Sequence, residues 1–124
     1  MTVLDASAVL ALLQDEPGAG EVEEAIDQGA VISAVNLAEV LSKMVDAGAS
    51  ADAAMRLVLG LFAEVEPFDL QAAVDTAVIR TTAGPGGLSL GDRACLSLAR
   101  VREMPAITAD RAWLSVAEPL GIEV

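Results

Sequence analysis

Histidine is absent from this chain, and only one cysteine, Cys95, is present. Those two facts exclude Ser-His and Cys-His nucleophilic catalysis, most zinc sites and any disulfide within the chain. Chemistry must therefore come from carboxylates, hydroxyls and a few basic side chains. Nineteen acids face seven bases, for a formal charge of −12. That balance argues against a broad basic surface for nucleic acid. It is compatible with work on phosphates through a bound metal. Five acids are in a position to do such work: Asp5, Glu39, Asp69, Asp92 and Asp110. Each sits at the end of a short apolar segment or in the first turn of the helix predicted to follow. The remaining acids lie mostly along predicted helices and turns, where a charge is usually just solvated.

The elements that must position these acids follow from hydrophobic period and breakers. Short strands are predicted at Thr2–Asp5, Ala30–Ile32, Val65–Phe68, Ala106–Thr108 and Ile122–Val124. Helices are predicted over Ser7–Gln14, then up to about Gln28, Asn36–Ala47, Ala51–Glu64, Leu70 to about Thr82, Ser89–Glu103 and Arg111–Glu118. Leu37, Val40, Leu41, Met44 and Val45 form an apolar stripe at helical spacing, and Gly48 ends that helix. Ala83-Gly-Pro-Gly-Gly87 lacks the Lys and Ser/Thr of a phosphate-binding loop and reads as a connection. Strands alternating with helices imply one α/β domain over residues 1–124, with a parallel sheet covered on both faces. Met1-Thr2 runs straight into Val3-Leu4 without a basic run or cleavage site, and no apolar stretch approaches the roughly 20 residues that span a bilayer. A cytoplasmic protein with no membrane partner is expected. Cys95 reads as a small buried hydrophobe, and Trp113 as core or groove lining.

Each of the five acids has a simpler explanation. Asp5, Asp69 and Asp110 can each cap the helix that follows. Asn36-Leu-Ala-Glu39 and Ser89-Leu-Gly-Asp92 both fit capping boxes. Glu39 also precedes Lys43 by four residues, an exposed pair contributing ~0.2–0.5 kcal/mol. Their conjunction weighs against coincidence. In α/β folds, ligands gather at the carboxyl ends of strands. Carboxylates converging there at ~6 Å, with an effective dielectric of about 20, repel by roughly 2–3 kcal/mol per pair. A hard divalent cation offsets that repulsion. Oxygen-only donors point to Mg²⁺ or Mn²⁺.

Four ordered blocks carry a resemblance that spans nearly the whole chain. Val3-Leu-Asp5-Ala-Ser7-Ala8, Ser33-Ala-Val-Asn36-Leu-Ala-Glu39-Val40, Leu88-Ser-Leu-Gly-Asp92-Arg-Ala-Cys-Leu-Ser-Leu-Ala99 and Thr108-Ala-Asp110-Arg-Ala-Trp113 together resemble the PIN-domain family, most closely its VapC-type bacterial toxins. The resemblance implies a three-layer α/β/α domain around a short central parallel sheet. It implies a Mg²⁺-dependent endoribonuclease leaving 5′-phosphate and 3′-hydroxyl ends. Asp5, Glu39, Asp92 and Asp110 match the family's acidic metal-binding quartet, and Ser7 and Thr108 its supporting hydroxyls. Arg93, beside Asp92, is a candidate phosphate contact. Asp69 matches no catalytic position, and Ser115 and Glu118 are imperfect matches to a further polar position. The implied partners are an RNA substrate, a cognate VapB-like antitoxin whose basic arm suits this acidic surface, and a second copy in a homodimer.

Other readings share some of these residues. A receiver domain also binds Mg²⁺ at strand ends, but it needs adjacent acids after the first strand and a late lysine. Haloacid-type phosphatases need Asp-x-Asp where this chain has Asp5-Ala-Ser7. A housekeeping PIN-type RNA-processing nuclease would keep the whole quartet, and a catalytically dead PIN-like binding module would keep the acids merely as caps.

Overall fold

The computed structural model describes residues 1–83 and 88–109. Asp110, Trp113, Ser115 and Glu118 lie outside the described residues, as do the predicted final helix and strand. Within them, four strands pair in parallel, in the order β3-β2-β1-β4. These are β1 (Thr2–Leu4), β2 (Ala30–Ser33), β3 (Glu64–Glu66) and β4 (Ala106–Ile107). Six helices connect them: α1 (Ala6–Leu13), α2 (Ala19–Gln28), α3 (Ala34–Asp46), α4 (Ala51–Leu59), α5 (Leu70–Ala83) and α6 (Leu90–Arg102).

Strand alternation divides the core into two layers. Val3, Val31 and Ala106 point to one face, where they meet Ile79 of α5 and Cys95, Leu96 and Ala99 of α6. Leu4, Ala30 and Ile32 point to the other, against Ala8, Val9, Val22, Val40 and Val58 of α1 to α4. Successive side chains on a strand project to opposite faces, so neighbouring residues serve different layers. The result is a three-layer α/β/α domain.

Several local readings need correction. α3 begins at Ala34, with Ser33 as its N-cap accepting from the Val35 N–H at 3.2 Å. Asn36 is therefore not a cap but a buried residue of the first turn. Leu37, Val40, Leu41 and Met44 do face the core, whereas Val45 is exposed at the last turn. Gly48, at φ +106°, follows that helix in a conformation open chiefly to glycine. α4 stops at Leu59 rather than Glu64. Beyond Gly60 the Ala63 N–H donates to the Ala30 carbonyl at 2.9 Å, and β3 starts one residue later. Sheet pairing there overrides the helical preference of an Ala- and Leu-rich segment. Among the described residues, no helix is long and apolar enough to cross a membrane.

The sheet order positions the site. From β1 the chain moves outward to β2 and β3, then returns to place β4 on the other side of β1. Because β1 and β4 pair in parallel, Asp5, which follows β1, and Thr108 and Ala109, which follow β4, lie at neighbouring carboxyl ends, the edge where ligands of α/β folds gather.

Candidate functional site

Asp5 immediately follows β1 and caps α1, its Oδ1 accepting from the Ala8 N–H at 2.8 Å. The Ser7 hydroxyl stands 2.8 and 2.9 Å from the two carboxylate oxygens, and Thr108 Oγ1 donates to Oδ2 at 2.6 Å. Ser7 Oγ in turn accepts from the Ala109 N–H at 3.0 Å. Two hydroxyls thus tie the exit of β1 to the exit of β4. Asp5 is only 3% exposed. Burial pushes its carboxyl above the ordinary range and the negative charge of Asp92 adds to this, while bonds from Thr108, Ala8 and Ser7 pull it back.

The second and third acids come from opposite helical layers. Glu39 projects from α3, its Oε1 accepting from Asn36 Nδ2 at 3.0 Å. No ion pair joins Glu39 to Lys43 among the described residues, so the exposed pair read from their spacing does not form. Asp92 closes the capping box of α6, its Oδ2 accepting from the Ser89 N–H at 3.0 Å and its own N–H donating to Ser89 Oγ at 3.1 Å. The box uses Oδ2 and leaves Oδ1 without a hydrogen bond among the described residues. A structural cap and a ligand can thus share this residue.

Asp5, Ser7, Glu39 and Asp92 line one pocket of about 220 Å³, together with Ala6, Leu10, Asn36 and Lys43. The charges of the three acids also act on Cys95, on the buried face of α6. Burial pushes its thiol well above the ordinary value, and Asp5, Asp92 and Glu39 push it further. Folded protein should therefore leave Cys95 unmodified by iodoacetamide at neutral pH while unfolded protein reacts, a difference that mass spectrometry reads directly. Asp69 lies elsewhere. It caps α5 through the Ala72 N–H at 2.9 Å and lines a separate pocket beside Glu66, Thr76 and Ser97. Arg93 is partly buried on α6 and is not among the lining residues of the acidic pocket, whereas Lys43 is.

Whether these residues suit a metal depends on donor chemistry. The pocket offers carboxylate, hydroxyl and amide oxygens, with neither imidazole nor thiol on its wall. Asn36 Oδ1 is buried and has no partner among the described residues, an acceptor of the kind a hydrated cation satisfies. Hard oxygen donors of this sort fit Mg²⁺ or Mn²⁺. Among the described residues no three acids are gathered tightly enough to hold an ion by themselves. The fourth candidate, Asp110, follows Ala109 outside them.

Sequence reasoning missed Asn36 and Lys43 as parts of this wall, and Gly91 as the residue against which the Glu39 carboxylate lies. Asn36 carried a signal, since it falls four residues before Val40 on the buried face of α3, where a polar residue needs a partner.

A sequence model of the PIN domain matches residues 2–119. The chain belongs to the PIN-domain family. Solved structures of similar fold agree with that assignment. FitAcB from Neisseria gonorrhoeae aligns over 100% of this PIN domain and 96% of its own chain, with 22% identity and a TM-score of 0.77. VapBC2 from Rickettsia felis, bound to a DNA fragment from its promoter, aligns over 99% and 96%, with 17% identity and a TM-score of 0.73. VapC20 of Mycobacterium tuberculosis, a sarcin–ricin loop cleaving toxin, aligns over 93% and 94%, with 15% identity and a TM-score of 0.72. No curated protein matches the chain.

Proposed function

We propose that this PIN domain is a Mg²⁺- or Mn²⁺-dependent endoribonuclease, the toxin of a toxin–antitoxin pair. The observation that carries the reading is the convergence of Asp5, Glu39 and Asp92 on one pocket beyond the carboxyl end of β1. Asp110 joins them as the fourth ligand by its match to the family motif. When bound there, a divalent cation supplies Lewis-acid polarisation of a scissile phosphate and a more acidic water. The chain's own residues hold and orient. Ser7 and Thr108 fix the Asp5 carboxylate, Asn36 fixes Glu39, and the capping box fixes Asp92. Lys43 stands on the pocket wall as a cation for a substrate phosphate, and Arg93, next to Asp92 on α6, is the second candidate for that contact. No side-chain nucleophile is needed, in keeping with a chain that has no histidine.

With a net charge of −12, substrate binding is local and strongly salt-dependent. The same charge favours a basic partner. An antitoxin arm reaching an arginine into the carboxylates would pair with them bidentately and close the pocket. Similarity to VapBC2 and FitAcB supports such a partner. A homodimer would not use Leu37, Val40, Leu41 and Met44, which pack into the core. The exposed row Leu70, Val74 and Val78 on α5 is one apolar surface open to it among the described residues. The absence of disulfide chemistry fits a cytoplasmic setting.

The test is cleavage of a panel of transfer RNAs and a sarcin–ricin loop hairpin by partner-free protein in Mg²⁺, Mn²⁺ or EDTA. Metal-dependent cleavage lost in Asp92→Asn supports the proposal, because asparagine keeps the α6 cap. Asp69→Asn serves as the control and should stay within a few-fold of parent, as its capping role survives the substitution. A loss there as large as in Asp92→Asn would overturn the choice of ligands. Metal should also stabilise the fold, by about 2.7 kcal/mol at one hundred times Kd. No cleavage together with no thermal shift would favour a dead binding module.

A further inference from the structure

Glu39 is solvent-exposed on α3, yet its carboxylate is held against a neighbouring helix. A Cβ built on Gly91 would overlap Glu39 Oε1 and stand 2.7 Å from Cδ and 2.8 Å from Oε2. The carboxylate therefore occupies the space that any side chain at position 91 would fill. Gly91 is the second residue of α6, with helical backbone and no positive φ, so conformation does not demand glycine there. In helical backbone glycine is the poorer choice, since alanine forms helix more readily. Space is the reason the geometry leaves.

Asn36 completes the arrangement. Its Nδ2 lies 3.0 Å from Glu39 Oε1 and 3.0 Å from the Gly91 carbonyl oxygen. One amide thus binds the carboxylate and ties it to the backbone of α6, next to Asp92. Exchanging the amide oxygen and nitrogen would set oxygen against both acceptors, so the bonding fixes its orientation. Asn36 is 1% exposed, and a buried amide is held in place by the bonds it makes. A long acidic side chain that would otherwise sample many rotamers is confined beside the third acid of the pocket.

We infer that Gly91 and Asn36 are positioning residues that seat the Glu39 carboxylate, Gly91 by leaving room and Asn36 by donating to it, so that Glu39 and Asp92 face one cation. This rests on the metal-binding reading above. Neither residue touches the reacting atoms. Their effect is on the preorganisation of a ligand, the kind of support that sets affinity in metal sites.

The test is calorimetric titration of MnCl₂ into parent, Gly91→Ala and Asn36→Ala, each with its metal-free melting temperature measured. Gly91→Ala should bind Mn²⁺ at least tenfold more weakly than parent, with a metal-free Tm no lower than parent because alanine is the better helix former. A purely structural glycine would show the reverse pattern, a lowered Tm with affinity kept, and that result overturns the inference. Asn36→Ala should also weaken Mn²⁺ binding, whatever its Tm. A second arm repeats Gly91→Ala in a Glu39→Ala background, where no further loss of affinity is expected. An equal further loss there would show that Gly91 acts other than through Glu39. Parent that binds Mn²⁺ normally alongside a Gly91→Ala variant within twofold of it overturns the inference alone. Parent that binds no Mn²⁺ overturns the metal reading and this inference with it.

Discussion

Asp5→Asn should lower metal-dependent RNA cleavage by at least ~100-fold, while the metal-free variant is no less stable than metal-free parent. The reason lies in the bonds around the carboxylate. Asparagine is as good an N-cap as aspartate, so its amide oxygen can keep the Ala8 N–H that Asp5 now holds at 2.8 Å. The hydroxyls of Ser7 and Thr108, which now donate to Asp5, can rotate to accept from the new amide. What disappears is a negative charge that burial disfavours and that Asp92 repels. Asp5→Ala should behave differently, losing the cap at a cost of about 1 kcal/mol and removing the carboxylate to which the Ser7 and Thr108 hydroxyls donate. Urea unfolding of the metal-free proteins, run beside a cleavage assay, separates the cases. Equal destabilisation by both variants would reduce Asp5 to a structural cap.

The pH dependence has a definite sign. Because the Asp5 carboxyl titrates above its ordinary value of 3.8 in the fold, the folded state holds its proton more tightly than the unfolded chain. Its contribution to stability is therefore complete below pH 3.8 and is lost as pH rises through the raised value. Parent stability minus that of Asp5→Asn should fall across that interval and then level off.

The second large effect is on the fold itself. Leu4→Ala should cost about 2–5 kcal/mol, out of a total near 5–15 kcal/mol for a domain of this kind. Leu4 is fully buried on β1, an inner strand, and belongs to the layer formed by α1 to α4. Truncation removes contacts to that layer and leaves a cavity one residue from Asp5. Val101→Ala, at an exposed position on α6, should change stability by less than about 0.5 kcal/mol. Denaturant midpoints of the two variants measure the contrast. A loss below 1 kcal/mol for Leu4→Ala would contradict the two-layer core described above.

The parts of the molecule legible in the sequence were those governed by local rules. Val3-Leu4 and Val31-Ile32, each an apolar pair within a short segment, mark strands, and the structure places both inside the sheet. Ser89 and Asp92 announced a capping box that the structure contains. Asp69 was read as a cap, and it is one. Local rules misled where a long-range contact changed the outcome. Asn36 looked like a cap because Asn-x-x-Glu is a capping pattern, but Ser33 lies at the end of β2 and takes the role three residues earlier. That shift moves Asn36 onto the buried face, where its partner is the carbonyl of Gly91, 55 residues away. Glu39 and Lys43 have the spacing of a helical pair, yet both border the acidic pocket without pairing. Gly91 looked unremarkable, because its importance is a distance between α3 and α6 that spacing along one helix does not encode.

The bonds around Asp5 also bear on when the pocket can exist during synthesis. Thr108 Oγ1 and Asp5 Oδ2 are joined across a separation of 103 residues. The first strand, with its acid, therefore leaves the ribosome about a hundred residues before β4 and the Thr108 and Ala109 that follow it. A nascent chain that stops short of β4 has Asp5 without its Thr108 bond and without the tie from Ala109 to Ser7. Long-range closure of this kind is the late and slow part of folding. The acidic pocket is thus completed only after β4 has been translated, and products truncated before β4 lack these bonds.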